Sequence, residues 1–205
     1  MSKSLLAFCL VLAGLSPASA ADLKSIAPEM TKVGYVIVFR HVATDDSQKD
    51  VYPFRFDDMK AQRQLSDKGR DAARAIGVSL KQLGIPLGAV YTSRLNRAVE
   101  TGKLIAGKDV TPKDELTDSS AGSTTGMANP DGSNARAGKA MRELLATSSE
   151  PVNNVYVTHK TNITDAFGKE YADIGEGEAL IIRVSRSGPA VALRVKAVEW
   201  SAAGL

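Results

Sequence analysis

Two histidines, the only ones in the chain, each follow a short apolar run with the composition of a β-strand. His41 follows residues 35–40, which end in Arg40, and His159 follows residues 155–158. Open α/β sheets build their ligand sites at the carboxyl ends of strands, and His suits nucleophilic attack and proton transfer near neutral pH. Either His alone would be interpreted as a packed core residue. Two matching placements, one beside an arginine, predict a shared catalytic site.

Three arginines stand where the same site would need positive charge. Arg40 ends the first apolar run, and Arg94 and Arg97 open a predicted helix. Guanidinium groups bind phosphate oxygens bidentately, and a helix N-terminus adds backbone N–H donors. If the strands are neighbours, these arginines and the histidines form an anion pocket. The alternative is three solvated arginines scattered over the surface.

The elements that must position these residues alternate between strand and helix. Apolar runs at residues 34–39, 89–92 and 155–157 are typical of buried parallel strands. Helical spacing follows Ser66 and recurs over residues 95–106 and about 135–146. Residues 178–184 and 190–195 predict a hairpin at the sheet edge. The order predicts the α/β class, as a three-layer α/β/α sandwich with a mostly parallel central sheet.

Two polar segments predict long loops beside this sheet. Residues 43–64 contain five aspartates and no sustained period, which predicts an excursion over the surface near the first strand's end. Residues 119–134 are rich in Ser, Thr, Gly and Asn, which predicts a connector or a lid. Whether either loop closes over a ligand stays open.

The first twenty residues are typical of a secretory signal peptide. Lys3 precedes an apolar stretch at residues 5–15, and small residues lead up to Ala20. We expect cleavage after Ala20, one domain over residues 21–205, and a periplasmic or secreted protein. The apolar stretch is shorter than the roughly 20 residues that cross a bilayer, so no membrane span is expected. An uncleaved anchor helix is the alternative.

Composition excludes several kinds of chemistry from the mature chain. Cys9 is the only cysteine and lies in the signal segment, so no disulfide, catalytic thiolate or cysteine-ligated zinc is expected. Loss of Lys3 lowers the formal net charge from +3 to +2. Such a mild excess does not favour nucleic acid or a membrane surface as partner. Composition leaves the oligomeric state open.

Four segments, in order, resemble the motifs of one family. Arg40-His41-Val42-Ala43-Thr44 resembles the Arg-His-Gly-x-Thr signature of the histidine phosphatases, the phosphoglycerate-mutase-like superfamily. Residues 65–73 are similar to its Leu-(Ser/Thr)-x-x-Gly segment, and residues 91–101 to its Ser-Ser-Pro-Leu-x-Arg-Ala-x-x-Thr turn. Residues 157–163 resemble the segment with the second His. The matches run from about Val36 to Ile182.

The resemblance implies a phosphoglycerate-mutase-like fold and a metal-independent phosphatase without a cofactor, acting on a small phosphorylated substrate. His41 would form a phosphohistidine that water hydrolyses, which splits one difficult displacement into two easier ones. Other implied catalytic residues surround the transferring group: Arg40, Arg97 and His159. The implied substrate-binding set is Arg40, Thr44, Arg94, Arg97, His159 and Asn162.

The resemblance leaves the general acid and two substitutions open. Asp118 stands at the spacing of the family's catalytic carboxylate with Asp in place of Glu, and Glu115 is the second candidate. Val42 replaces the usual Gly and could restrict the approach of substrate. Arg94 replaces the usual Pro and either faces the pocket or lies exposed.

Three functions compete at this point. The first is an exported phosphatase acting on a phosphomonoester; a mutase is less attractive because it must retain the phosphohistidine for return transfer. The second is a catalytically inactive relative that binds phosphate or a phosphorylated envelope ligand. The third is a metal-dependent hydrolase, for which two histidines and no mature cysteine offer few ligands.

Overall fold

A single sheet forms the centre of the computed structural model, which describes residues 20–32, 34–118, 133–148 and 152–203. Within these ranges the strands are β1 (Val36–Arg40), β2 (Leu87–Thr92), β3 (Thr111–Pro112), β4 (Asn153–Thr158), β5 (Ala179–Ser185) and β6 (Gly188–Val195). Their order is β3-β2-β4-β1-β5-β6. β3, β2, β4 and β1 are parallel neighbours, and β5 and β6 join antiparallel. The predicted parallel centre and edge hairpin are confirmed.

Helices cover both faces of this sheet. They are α1 (Ala20–Met30), α2 (Asp67–Gln82), α3 (Asn96–Ala106), α4 (Ser133–Ala146), α5 (Lys160–Phe167) and α6 (Ala197–Ala203). Short 3-10 turns lie at Met59–Ala61, Asp114–Leu116 and Lys169–Tyr171. No helix in the described ranges combines the length and the apolar character that crossing a membrane requires.

Strand alternation divides the core into two clusters. Ile37 and Phe39 of β1 belong to the cluster that includes buried residues of α1, α2, α3 and α6. Val36 and Val38 belong to the cluster that includes buried residues of α4 and α5. Because successive strand residues point to opposite faces, both faces of β1 are buried. The predicted three-layer α/β/α sandwich is confirmed.

The start of α2 shows why its sequence departs from a capping box. The Ser66 hydroxyl accepts a hydrogen bond from Gly69 N at 3.1 Å, as expected of an N-cap. A Cβ at Gly69 would collide with the carbonyl oxygen of Ala43. A glutamate there is therefore excluded by the close approach of α2 to the loop that follows β1.

The helices at the two ends of the described chain carry little sequence signal. Residues 21–33 are polar enough to predict only a lead-in, yet α1 buries Leu23, Ala27 and Met30. Trp200 of α6 is fully buried, with its ring 5.4 Å from that of Phe39. Packing against the sheet stabilises these helices. Each has too few apolar residues to produce a recognisable helical pattern in the sequence.

The second polar segment is shorter at one end than predicted. Residues 119–132 lie outside the described residues, and α4 begins at Ser133, so its first turn takes the last two residues assigned to the loop. Residues 43–64 do run as an irregular excursion, closed by an isolated bridge between Thr44 and Leu65.

Candidate active site

The turns after β1 and β4 bring the two histidines together. The strands pair in parallel, with Arg40 opposite Thr158, and His41 N donates to the Thr158 carbonyl at 3.1 Å. The imidazole centroids of His41 and His159 lie 5.3 Å apart. Both residues are buried, at 2% and 3% exposure. The two histidines thus lie side by side, and their catalytic role stays a prediction.

A hydrogen bond to the backbone fixes the tautomer of His41. His41 Nδ1 lies 2.9 Å from the carbonyl oxygen of Val42, which can only accept a hydrogen bond. Nδ1 therefore carries the proton, and Nε2 of the neutral ring has a free lone pair. Burial lowers the pKa of His41 well below its usual value, and the positive charges of Arg97 and Arg40 lower it further. The imidazole is neutral across the physiological range.

His159 is held through the turn after β2. Its Nε2 lies 2.8 Å from Ser93 Oγ, which itself accepts from Leu95 N at 3.1 Å. Its Nδ1 is buried and makes no hydrogen bond within the described part of the chain. Burial, followed by the charges of Arg97 and Arg40, lowers the pKa of His159 well below its usual value. This ring is also neutral.

Arg97 enters the site from the first turn of α3. Its side chain is 2% exposed; Nη1 lies 3.0 Å from Asp50 Oδ1 and Nη2 3.8 Å from Asp118 Oδ2. Thr101, one turn later, donates to the Arg97 carbonyl at 2.7 Å and accepts from Val42 N at 3.3 Å. The threonine of the turn motif thus ties α3 to the loop bearing His41.

Arg40 reaches the site from the end of β1. Its Nη1 donates to the Ile174 carbonyl at 2.7 Å, and its Nη2 lies 3.5 Å from Glu176 Oε1. Burial lowers the pKa of Arg40, and Glu176 opposes that shift. We refer to His41, His159, Arg40 and Arg97 as the histidine–arginine pocket.

Three of the four residues of this pocket have a buried side-chain nitrogen without a partner in the described chain. The Nε atoms of Arg40, Arg63 and Arg97 and the Nδ1 atom of His159 are buried and have no hydrogen-bond partner in the described chain. An unsatisfied buried donor is costly, and it is rare outside sites that bind a ligand or water. Donors of this kind suit an anion, as the sequence predicts.

Two carboxylates at the site escaped sequence analysis. Asp50, from the 43–64 segment, pairs with Arg97, and Glu176, from the turn before β5, pairs with Arg40. Glu176 Oε1 also lies 4.0 Å from His41 Nδ1. Neither belongs to a motif with a fixed offset. Only their distance from the arginines in space distinguishes them from neighbouring acidic residues.

The two candidates for the general acid are placed differently. Asp118 lies beside Arg97, with a side-chain exposure of 15%, and accepts a hydrogen bond from Thr161 Oγ1 at 2.8 Å. Glu115 is exposed. Asn162 Nδ2 donates to the Thr117 carbonyl at 2.9 Å, which holds the backbone next to Asp118. The geometry favours Asp118 of the two.

The remaining predicted residues differ in their burial and contacts. Thr44 is buried and donates to Glu176 Oε1 at 3.1 Å. Arg94 has its guanidinium carbon 4.0 Å from the centroid of the Phe56 ring, and it pairs with Asp114 at 3.2 Å. These contacts favour the exposed position that sequence left open for Arg94, and its role in phosphate binding stays a prediction. Val42 is fully buried and belongs to the core cluster.

A metal site would need a cluster of ligands that the described residues do not form. No three His, Cys, Asp or Glu side chains in these parts of the chain come together so that they could hold a metal ion. Independence of the activity from metal stays a prediction, which an assay in chelator tests.

Comparison with known proteins decides the family. Residues 36–150 match the model of the histidine phosphatase superfamily, branch 1. The chain belongs to this superfamily. No curated protein matches the chain closely enough to be counted as a relative. The predicted superfamily is confirmed by this match, which includes three of the four motif segments; residues 157–163 lie outside it.

Solved structures agree with that assignment. One is a phosphoserine phosphatase from Entamoeba histolytica in complex with 3-phosphoglyceric acid, with 16% identity and a TM-score of 0.61, covering 82% of this chain and all of the other. Another is the protein histidine phosphatase SixA complexed with tungstate, with 15% identity and a TM-score of 0.53, covering 80% and 97%. At these identities the likeness shows the histidine phosphatase fold alone. Membership in the histidine phosphatase superfamily makes this chain a phosphoric monoester hydrolase.

Proposed function

We propose that the protein hydrolyses a phosphomonoester through a phosphohistidine on His41. The observation that carries this proposal is the bond from His41 Nδ1 to the Val42 carbonyl, which leaves Nε2 of a neutral ring free beside the arginines. A neutral imidazole nitrogen is a nucleophile, whereas a protonated one is not.

In the first step, His41 Nε2 attacks phosphorus while the bond from phosphorus to the ester oxygen breaks. The departing oxygen takes a proton from the carboxyl group of Asp118, and the products are an alcohol and a phosphohistidine. Asp118 stands beside Arg97, so an acid there is close to the group that Arg97 binds.

In the second step, water attacks phosphorus and the N–P bond breaks, which restores neutral His41 and releases inorganic phosphate. The carboxylate of Asp118 takes the proton from the attacking water. Arg40 and Arg97 stabilise the charge on the equatorial oxygens in both steps. The N–H group of His159, if Ser93 donates to its other nitrogen, supplies a further donor to the same oxygens.

The test is direct detection of the intermediate. Purified protein is mixed with a generic aryl phosphate in chelator and quenched within milliseconds, and its peptides are examined by mass spectrometry. We expect an acid-labile phosphate on the peptide containing His41. A known phosphohistidine enzyme, quenched and digested in the same way, is the control. If its adduct survives and this protein turns over substrate without one, the mechanism is contradicted. Activity that collapses in chelator would support a metal-dependent hydrolase, and phosphate binding without turnover would support an inactive relative.

We propose a small phosphorylated substrate because the cluster of buried donors is local, around one ring pair, rather than spread over a surface. The solved neighbours include a phosphoserine phosphatase and a protein histidine phosphatase, so both small esters and phosphorylated protein belong in a substrate screen. A strong preference for phosphoprotein over every small ester would contradict the proposal.

We also propose export with cleavage after Ala20. The charged start, short apolar stretch and small residues before position 20 support it. Cell fractionation with intact-mass measurement should find a product beginning at Ala21 outside the cytoplasm. The variant Ala18→Asp, which disrupts the cleavage site, should accumulate as the precursor. A full-length cytoplasmic product would contradict export.

A further inference from the structure

The 43–64 segment is fixed against the pocket by one buried side chain. Gln62 is 2% exposed, and its Nε2 donates to the carbonyl oxygens of Arg55 and Phe56, both at 2.9 Å. Its Oε1 accepts from Asn96 N at 2.9 Å, next to Arg97. The residue after Gln62 is therefore presented at the start of α3 by a framework of satisfied hydrogen bonds.

That next residue is Arg63, whose backbone is tied to the same carboxylate as Arg97. Arg63 N donates to Asp50 Oδ1 at 3.0 Å, and Arg97 Nη1 donates to this same oxygen at 3.0 Å. Gln64 N on its other side donates to Gln48 Oε1 at 2.9 Å. The backbone around Arg63 is thus held in place before any ligand binds.

The guanidinium of Arg63 differs from those of its neighbours. Its Nε is buried without a hydrogen-bond partner, and no carboxylate in the described ranges lies within ion-pair distance of it. Arg55, in the same segment, is exposed and pairs with Asp58 at 3.8 Å. Arg63 therefore has an unused donor at a buried position, whereas Arg55 is exposed and paired.

The positive charge of Arg63 acts on both pocket arginines. After burial, which is the main cause, Arg63 lowers the pKa of Arg40 more than Arg97 does. It also lowers the pKa of Arg97, where burial is again the main cause and Asp50 opposes it. These effects agree with the contact to Asp50 Oδ1 that Arg63 N shares with Arg97, which places Arg63 beside the pocket.

We propose that Arg63 is a third arginine of the histidine–arginine pocket, and that it binds an oxygen of the substrate's phosphoryl group together with Arg40 and Arg97. The inference rests on the proposed function and adds a residue to it. The ligand class is the phosphoryl group of a phosphomonoester, with free inorganic phosphate as its simplest representative.

The charges around the pocket explain why a third arginine would favour phosphate binding. Asp50 and Glu176 pair with Arg97 and Arg40, one carboxylate for each arginine. A phosphomonoester dianion would then enter a site without excess positive charge. Arg63 supplies that charge, and because its own donors are not used by a carboxylate, binding phosphate breaks no ion pair of Arg63.

The experiment compares Arg63→Gln and Arg63→Lys with the matched control Arg55→Gln. Binding of inorganic phosphate is measured by isothermal titration calorimetry, and hydrolysis of an aryl phosphate by steady-state kinetics. Loss of one charge-assisted contact should weaken phosphate binding by about 10-fold to 100-fold in Arg63→Gln. Arg63→Lys should recover part of it, since lysine keeps the charge but not the planar fork. Arg55→Gln should behave as wild type.

The outcomes separate this inference from the proposed function. Wild-type phosphate affinity in Arg63→Gln or in Arg63→Lys overturns the role of Arg63, even if both hydrolyse the ester. If the wild-type protein binds phosphate but forms no phosphohistidine, the mechanism is overturned. The phosphate affinities of the Arg63 variants still test whether Arg63 binds phosphate. If Arg63→Gln fails to fold, Arg63→Lys decides: unchanged phosphate affinity overturns the inference, and weaker binding with the same thermal midpoint supports it.

Discussion

Arginines at two places along the sheet have opposite surroundings. At the hairpin edge, which we define as Arg183, Arg194 and their carboxylates, Arg194 donates from Nε and Nη2 to Glu178 Oε2 and from Nη1 to Asp173. Arg183 pairs with Glu29 at 2.8 Å, and both side chains are 59% exposed. In the histidine–arginine pocket, Arg97 is almost fully buried and its Nε has no partner in the described chain.

The difference indicates which arginines are candidates to bind a ligand. The guanidinium of Arg194 has carboxylate partners for three nitrogens, so it stabilises the fold locally and offers few donors to a solute. A buried guanidinium with an unused N–H carries a desolvation cost that a bound anion can offset. Ion-pair number alone would not separate the two regions, because Arg97 also has two carboxylate neighbours.

The largest expected effect is at the nucleophile. His41→Ala should lower kcat/KM for an aryl phosphate by more than about 10³-fold, because the covalent route loses its attacking atom. Steady-state kinetics at saturating chelator measures the loss. If residual activity stays within tenfold of wild type, the pocket is a binding site and not the catalytic centre.

The next effect sharpens the contrast between buried and exposed arginines. Arg97→Lys keeps the charge but not the fork, so kcat/KM should fall by about 10²-fold, as for other groups that stabilise transition-state charge. The matched change at the hairpin edge, Arg183→Lys, should leave kcat/KM unchanged. Equal losses at the two positions would mean that burial and unused donors do not mark the ligand site.

A smaller effect should depend on the substrate. Asp118→Asn cannot donate a proton to the leaving oxygen, so hydrolysis of an alkyl phosphate should slow by about 10-fold to 10²-fold more than hydrolysis of a nitrophenyl phosphate. A comparison of kcat/KM over a series of leaving groups measures this. A uniform decrease across the series would count against Asp118 as the acid, and Glu115→Gln provides the paired control.

Stability should respond to pH through the pocket histidines. Both have pKa values well below the usual 6.5 in the folded protein, mainly because of burial. Below about pH 6.5 the unfolded chain binds protons that the folded chain excludes, so the free energy of unfolding falls by up to about 1.4 kcal/mol per pH unit for each His. Above that pH their contribution is constant. The free energy of unfolding, measured in urea between pH 7.5 and 5.5, should depend less steeply on pH in His41→Asn than in wild type. Identical slopes would contradict the lowered pKa of His41.

The smallest effect is expected at the hairpin edge. Arg183→Gln removes an exposed pair with Glu29, so the thermal midpoint should change less than in His41→Asn or Arg97→Lys, with unaltered kinetics. Differential scanning calorimetry measures the midpoint. A larger destabilisation than that of Arg97→Lys would reverse the comparison between the two regions.

Much of the architecture could be predicted because local rules determine it. Ser66 caps α2 and Gly107 ends α3 in a left-handed conformation, as their residue types indicate. The apolar runs before His41 and His159 are strands, and they pair with each other. By contrast, α1 and α6 depend on a few apolar residues such as Leu23 and Trp200, whose burial against the sheet no local pattern shows.

The sequence by itself determined which groups are candidates for the chemistry, since His41, Arg40, Arg97 and His159 belong to motifs with fixed offsets at the ends of strands and the start of a helix. Only the tertiary structure decided which charges join them. Asp50, Arg63 and Glu176 come from irregular segments, and nothing in their neighbours along the chain distinguishes them from other polar loop residues. Electrostatic interaction depends on distance through space and on burial, and both are set by the packing of the loops onto the sheet edge.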